Sequence, residues 1–148
     1  MTEALRHTRI LITGASGGLG GALARHYAAP GTYLCLWGRD IARLEAIAQD
    51  CRAAGAEVSI RSLDLADVSA ALLALREEDA EHPFDIAVFS SGRGDVRAPE
   101  DLVEAAEQVA ELGTINFTAP AAMAAALADR MAGRGRGQIV MIGSAAAF

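Results

Sequence analysis

The run Thr13-Gly14-Ala15-Ser16-Gly17-Gly18-Leu19-Gly20 follows the short apolar stretch Ile10-Leu11-Ile12 and leads directly into an amphipathic segment, Leu19 to Ala29. Strand, glycine-dense turn and helix, in that order, present unpaired backbone N–H groups and the positive end of a helix dipole to an anion. The chemistry of such a turn is the binding of a phosphate or diphosphate, and glycines recur because side chains would hold the ligand away. The glycines fit two registers: Gly14, Gly18 and Gly20, or Gly14, Gly17 and Gly20. Ser16 and Leu19 join the candidate set by their loop positions. A second group capable of chemistry is Trp37-Gly38-Arg39 at the end of another apolar run. A guanidinium there can grip a phosphate through two parallel hydrogen bonds, although Arg39 could also be an exposed loop residue and Asp40 a helix cap.

These groups need strand ends to stand on. Apolar runs of strand length occur at Arg9–Thr13, Thr32–Trp37, Val58–Leu63, Asp85–Phe89 and Gln138–Ile142. Helical patterns lie between them at Gly18–Ala29, Ile41–Ala54, Val68–Ala80 and Asn116–Ala132, with a further helix expected over Glu100–Glu111. Strands alternating with helices predict an α/β fold, a doubly wound parallel sheet of order 3-2-1-4-5 with helices on both faces. The nearly continuous apolar character of most strand runs fits strands covered on both sides. Pro30-Gly31, Gly55, Pro83 and Gly133 to Gly137 punctuate the elements, and Gly92–Pro99 is the strongest loop candidate. It follows a strand's C-terminal end, the edge where open parallel sheets hold their ligands.

At 148 residues the chain is one domain's worth, residues 1–148, long enough for a sizeable core. Aromatic residues are 5% of the total, which argues against stacking on single-stranded nucleic acid. The net charge of −6 argues against a general nucleic-acid binder, while leaving room for a local anion site built from backbone. Every basic residue is arginine; the sequence contains no lysine. Cys35 and Cys51 have no metal-ligand spacing, and a reduced, cytoplasmic protein is expected. His7, His26 and His82 likewise lack metal-like spacing, so no metal is expected. The N-terminus makes a poor signal peptide, and Phe117–Ala128 is too short to span a bilayer, so no membrane partner is expected. Glu77-Glu78-Asp79 and Glu104 to Glu111 read as solvated helix faces.

Taken with Thr13, the glycine turn resembles the cofactor loop of the short-chain dehydrogenase/reductase family, and further stretches match in order. Asp64-Leu65 stands where the family places an Asp near the adenine ring. Ser90-Ser91-Gly92 stands in place of Asn-Asn-Ala-Gly. Ile115-Asn116-Phe117-Thr118-Ala119-Pro120 resembles the helix carrying the active-site Asn, and Gly137 to Ser144 resembles the fifth strand ending in the catalytic Ser. The resemblance implies a Rossmann-type nucleotide-binding fold and cofactor contacts from Gly14, Ser16, Gly18, Leu19, Gly20, Arg39, Asp64, Leu65 and Gly92. Where an NAD-binding chain has an acid at the end of its second strand, this one has Gly38 followed by Arg39, which favours NADP(H), with NAD(H) as the alternative.

By the same resemblance the activity is hydride transfer between a nicotinamide and a small-molecule alcohol or carbonyl substrate. Ser144 would orient the substrate oxygen, and Asn116 would hold a water in a proton relay through a kink in its helix. Ser144 could instead be a strand-end residue, Asn116 a helix N-cap and Asp64 an ordinary turn residue. The family's Tyr-x-x-x-Lys pair has no counterpart here: Tyr27 and Tyr33 are the only tyrosines. The expectation is an N-terminal portion of a longer reductase, with the family fold's C-terminal part absent, a bare fifth-strand edge, and Ala145 to Phe148 without a partner. The alternatives are a non-catalytic NAD(P)-binding module or sensor, and the sugar-nucleotide epimerase or dehydratase branch. A homo-oligomer is expected, pairing through the helix near Asn116.

Overall fold

Side chains of a strand point alternately to opposite faces, and here both faces of the sheet are covered. The structure, a computed structural model, describes residues 8–94, 98–100 and 102–144. Along β1 (Thr8–Thr13), Ile10 and Ile12 enter one core while Leu11 enters the other. β2 (Thr32–Gly38) divides in the same way, Leu34 and Leu36 against Cys35 and Trp37. The first core is closed by α1 (Gly18–Tyr27) and α2 (Ile41–Ala53) through Ala24, Leu44, Ile47, Ala48 and Cys51. The second is closed by α3 (Val68–Glu81), through Ala71, Ala74 and Leu75, and by α5 (Ala119–Arg134). Ala119, Met123, Leu127 and Met131 recur at helical spacing and form the buried stripe of α5.

β3 (Glu57–Ser62), β4 (Ile86–Phe89) and β5 (Gln138–Met141) complete a parallel sheet of order β3-β2-β1-β4-β5, as expected. The registers Thr13↔Trp37, Thr13↔Phe89 and Phe89↔Met141 bring the C-terminal ends of four strands level, so the turns that follow them share one edge. β5 lies at the outside of the sheet, with Met141 and Ile142 exposed. Among the described residues no helix is long and apolar enough to cross a membrane.

The helix expected over Glu100–Glu111 is shorter. α4 (Ala106–Gly113) starts only at Ala106, after an extended Ala105 that offers no side-chain cap. Leu102 and Val103, inside the expected helix, are 92% and 77% exposed. The break expected before Asn116 is not there either. α4 runs through a π turn, Thr114–Thr118, directly into α5, and the run ends at a left-handed Gly135 with φ +69°. The closing residues 145–148 and part of the Gly92–Pro99 loop lie outside the described residues.

Asp79 departs from the solvated reading. Its side chain is fully buried between α3 and α5, accepting from the Phe84 N–H at 2.9 Å, from Arg134 Nη1 at 2.8 Å and from Arg130 Nε. Glu78 is also mostly covered and faces Arg9 at 3.6 Å and Arg61 at 3.3 Å. A run of acidic residues cannot show that a helix turns one carboxylate inward onto arginines far along the chain.

Both cysteines are free and buried. Burial pushes the Cys35 thiol up to about 12, with a hydrogen bond from Ser59 acting in the opposite direction. The thiolate is the nucleophile, so native protein at neutral pH is expected to resist a thiol reagent and to release both thiols only in denaturant. Fast labelling of Cys35 in folded protein, located by mass spectrometry, would contradict this.

Candidate functional site

The turns after β1, β2, β3 and β4 surround a cavity of about 570 Å3 at the C-terminal edge of the sheet. Gly14 opens the first turn with φ +69°, and a Cβ on it would stand 2.7 Å from Ser91 Cα. Only glycine meets both conditions. The approach of the two turns is fixed by Ser90 Oγ, which donates to the Thr13 carbonyl at 2.7 Å. Serine thus ties the end of β4 to the end of β1.

Gly17 donates its N–H to the Gly14 carbonyl at 3.0 Å and becomes the N-cap of α1, with no side-chain cap and no acidic residue in the first helical turn. The N–H groups of Gly18, Leu19 and Gly20 therefore begin the helix without intrahelical acceptors, on a helix end carrying positive dipole charge. A Cβ on Gly18 would meet nothing within 4 Å. The protein itself has no packing need for a glycine there; an anion approaching the helix end does. Thr13 Oγ1, also at the cavity, is buried without a hydrogen-bond partner. These features fit a diphosphate group.

Every residue nominated for the cofactor lines this one cavity: Gly14, Ser16, Gly18, Leu19 and Gly20 from the first turn, Arg39 from the second, Asp64 and Leu65 from the third, and Gly92 from the fourth. The plain local roles hold alongside. Asp40 does cap α2, accepting the Arg43 N–H at 3.0 Å, and Asp64 Oδ1 closes a turn by accepting the Ala66 N–H at 3.0 Å. Sequence reasoning missed Arg43 and Arg93, which add two guanidinium groups to the lining. Arg43 pairs with Asp40 at 3.4 Å, and the Asp40-x-x-Arg43 spacing at a helix start was the available signal. Arg93 pairs with Glu111 at 2.8 Å, and only its place after Gly92 pointed to it.

Asn116 and Ser144 are not part of the lining. Asn116 sits in the middle of the π turn and so is no N-cap. Its Oδ1 accepts the Arg93 N–H at 2.8 Å and its Nδ2 donates to the Arg93 carbonyl at 2.8 Å, which ties the turn after β4 to the α4–α5 run. Helical kinks occur at π turns of this kind, where the Ala119 N–H bonds the Thr114 carbonyl. Ile142 N–H still pairs with the Phe89 carbonyl at 3.1 Å, so Ser144 lies just past β5 on the same sheet edge as the cavity, and it is exposed.

The family model described as short chain dehydrogenase matches residues 8–148. An uncharacterized oxidoreductase of Myxococcus xanthus is 34% identical over 139 residues, 93% of this chain and 54% of that protein. Two solved structures share the fold. The bulky-bulky ketone specific alcohol dehydrogenase from Comamonas testosteroni has a TM-score of 0.82 and 32% identity, covering 95% of this chain and 56% of that one. A short-chain dehydrogenase from Sphingobium yanoikuyae in complex with NADPH has a TM-score of 0.80 and 35% identity, covering 93% and 54%. The chain spans about half the length of the curated relatives it matches. With the family model running from the first described strand to the last residue, this chain belongs to the short chain dehydrogenase family.

Proposed function

We propose that the cavity holds a nicotinamide dinucleotide, NADP(H) in preference to NAD(H), and that the whole protein transfers hydride between it and a small alcohol or carbonyl substrate. The observation that carries this reading is the convergence of the nine residues nominated for the cofactor, Gly14 to Gly92, on one cavity beside a helix end with no side-chain cap. The glycine turn takes the diphosphate, and Asp64 and Leu65 flank the adenine. Arg39 takes the ribose 2′-phosphate. Asp40, the acid next to Arg39 in the chain, is engaged by the α2 backbone and by Arg43. The bound nicotinamide supplies or accepts the hydride. Ser144 orients the substrate oxygen, and Asn116 acts by position, holding Arg93 with its side chain while the bent backbone offers the relay's water site. The complex of the Sphingobium yanoikuyae relative with NADPH supports the cofactor choice, and the Comamonas testosteroni alcohol dehydrogenase supports the substrate class. Free buried cysteines support residence in the cytoplasm, and exposed Val109 and Phe117 on the α4–α5 run support pairing of copies there.

Trp37 is the sole tryptophan and lines the cavity, so its fluorescence reports binding directly. NADPH is expected to quench it saturably, and NADH more weakly. Arg39→Ala removes charge-assisted hydrogen bonds and should weaken NADPH by about 10–100-fold while changing NADH by less than about threefold. Equal losses for the two nucleotides would reject Arg39 as the phosphate reader.

The second reading to be tested is a nucleotide-binding module without turnover. NADPH oxidation by the 148-residue chain with any member of a carbonyl panel would reject it. Binding without turnover would support it.

A further inference from the structure

The end of β2 and the turn after β1 are stitched together. Ala15 donates its N–H to the Trp37 carbonyl at 3.0 Å, and the Gly38 carbonyl accepts from the Leu63 N–H at 2.9 Å. Neither backbone can withdraw without breaking one of these bonds. Between these anchors Ser16 and Gly38 meet. A Cβ on Gly38 would stand 2.6 Å from Ser16 Oγ, 3.1 Å from Ser16 Cβ and 3.3 Å from Leu44 Cδ2. Turning the serine about χ1 removes the first conflict but leaves the second, and buried Leu44 closes the remaining side. Gly38 is not among the glycines with positive φ, so space rather than backbone conformation is what disfavours a side chain.

The end of the second strand is where an acid would receive the ribose 2′-hydroxyl of NAD. Resting on the nucleotide reading above, we propose that Ser16 and Gly38 act as one specificity-determining pair. Gly38 admits the Ser16 hydroxyl to the cavity, where it has no partner within the protein among the described residues, and the serine in turn bars any acid from position 38. The hydroxyl donates to a 2′-phosphate beside Arg39. Preference for NADP(H) is therefore enforced by exclusion as well as by attraction, and a single substitution at either position cannot convert it.

Two sets of measurements on the full chain test the pair. The first is a melting-temperature cycle of Gly38→Ala, Ser16→Gly and the double variant, which needs no nucleotide. Gly38→Ala should lower the melting temperature, and adding Ser16→Gly should recover most of the loss, a non-additive result expected only for groups in contact. The second is Trp37 fluorescence titration with NADPH and NADH. Gly38→Asp alone should lose NADPH binding and gain nothing for NADH. Ser16→Gly with Gly38→Asp should bind NADH about tenfold more tightly than the parent, as one charge-assisted hydrogen bond predicts. Failure of Gly38→Asp to fold, with the double variant folding, supports the pair equally. Additive melting shifts, or a well-folded Gly38→Asp that gains NADH affinity unaided, would overturn the coupling and leave the nucleotide reading standing. No saturable NADPH binding by the parent would overturn both, whatever the melting cycle shows.

Discussion

Gly18→Asp is expected to leave the fold intact and to weaken NADPH binding by about 100-fold or more, because like charges forced together cost several kcal/mol. The substitution meets no steric objection from the protein, since a Cβ at this position has nothing within 4 Å. Gly18 is the first residue of α1, where a carboxylate is favoured by the helix dipole, so the melting temperature should hold or rise slightly. The same carboxylate stands where the diphosphate must come and carries the same sign. Gly14→Ala provides the contrast. Its backbone is left-handed and its Cβ would strike Ser91 Cα, so it should lower stability through strain. Melting curves beside Trp37 titrations separate the two glycines. A Gly18→Asp variant with parental NADPH affinity would remove the diphosphate from this turn and with it the reading of the cavity.

Asp79→Ala should be the most destabilising single change in the described fold, by about 3–5 kcal/mol, the usual cost of breaking a buried ion pair from one side. The carboxylate is fully buried, and its loss strands Arg134, which lies mostly covered against the Phe84 carbonyl at 3.2 Å. Against the roughly 5–15 kcal/mol that holds a typical domain together, such a loss brings the chain close to unfolding. Burial alone would raise the Asp79 carboxyl; the hydrogen bonds of Arg134 and Arg130 outweigh it and hold the group below the usual carboxylate range. A depressed folded value means stability that is fully present above the unfolded pKa, about 3.9, and lost as pH falls through the folded one. The urea midpoint of the parent should therefore fall below about pH 4 more steeply than that of Asp79→Asn. Parallel pH dependences, or a loss under about 1 kcal/mol in Asp79→Ala, would show that the arginines find other partners.

Period and turn chemistry are local, and what depends on them was written in the chain. Ile10, Leu11 and Ile12 are apolar at every position because each face of β1 meets a helix, and strand–helix alternation carries the 3-2-1-4-5 order with it. The strand, glycine turn and helix around Gly14 to Gly20 were legible, and the cavity collects each residue nominated for the cofactor, though not Asn116 or Ser144. Packing between distant segments is not local, and there the linear reading stopped. Glu77-Glu78-Asp79 looked solvated because nothing nearby in the sequence reveals that Arg130 and Arg134 arrive from the adjacent helix α5. The helix expected over Glu100–Glu111 starts only at Ala106, because helix bounds depend on tertiary packing that local propensity does not report. Asn116 was singled out, but only the folded chain directs its amide onto the Arg93 backbone, and only there do Ser16 and Gly38 touch. Composition and spacing determine which elements form and where the glycine turn lies; the distances between strand ends, set when the two cores close, decide which side chains then share the space.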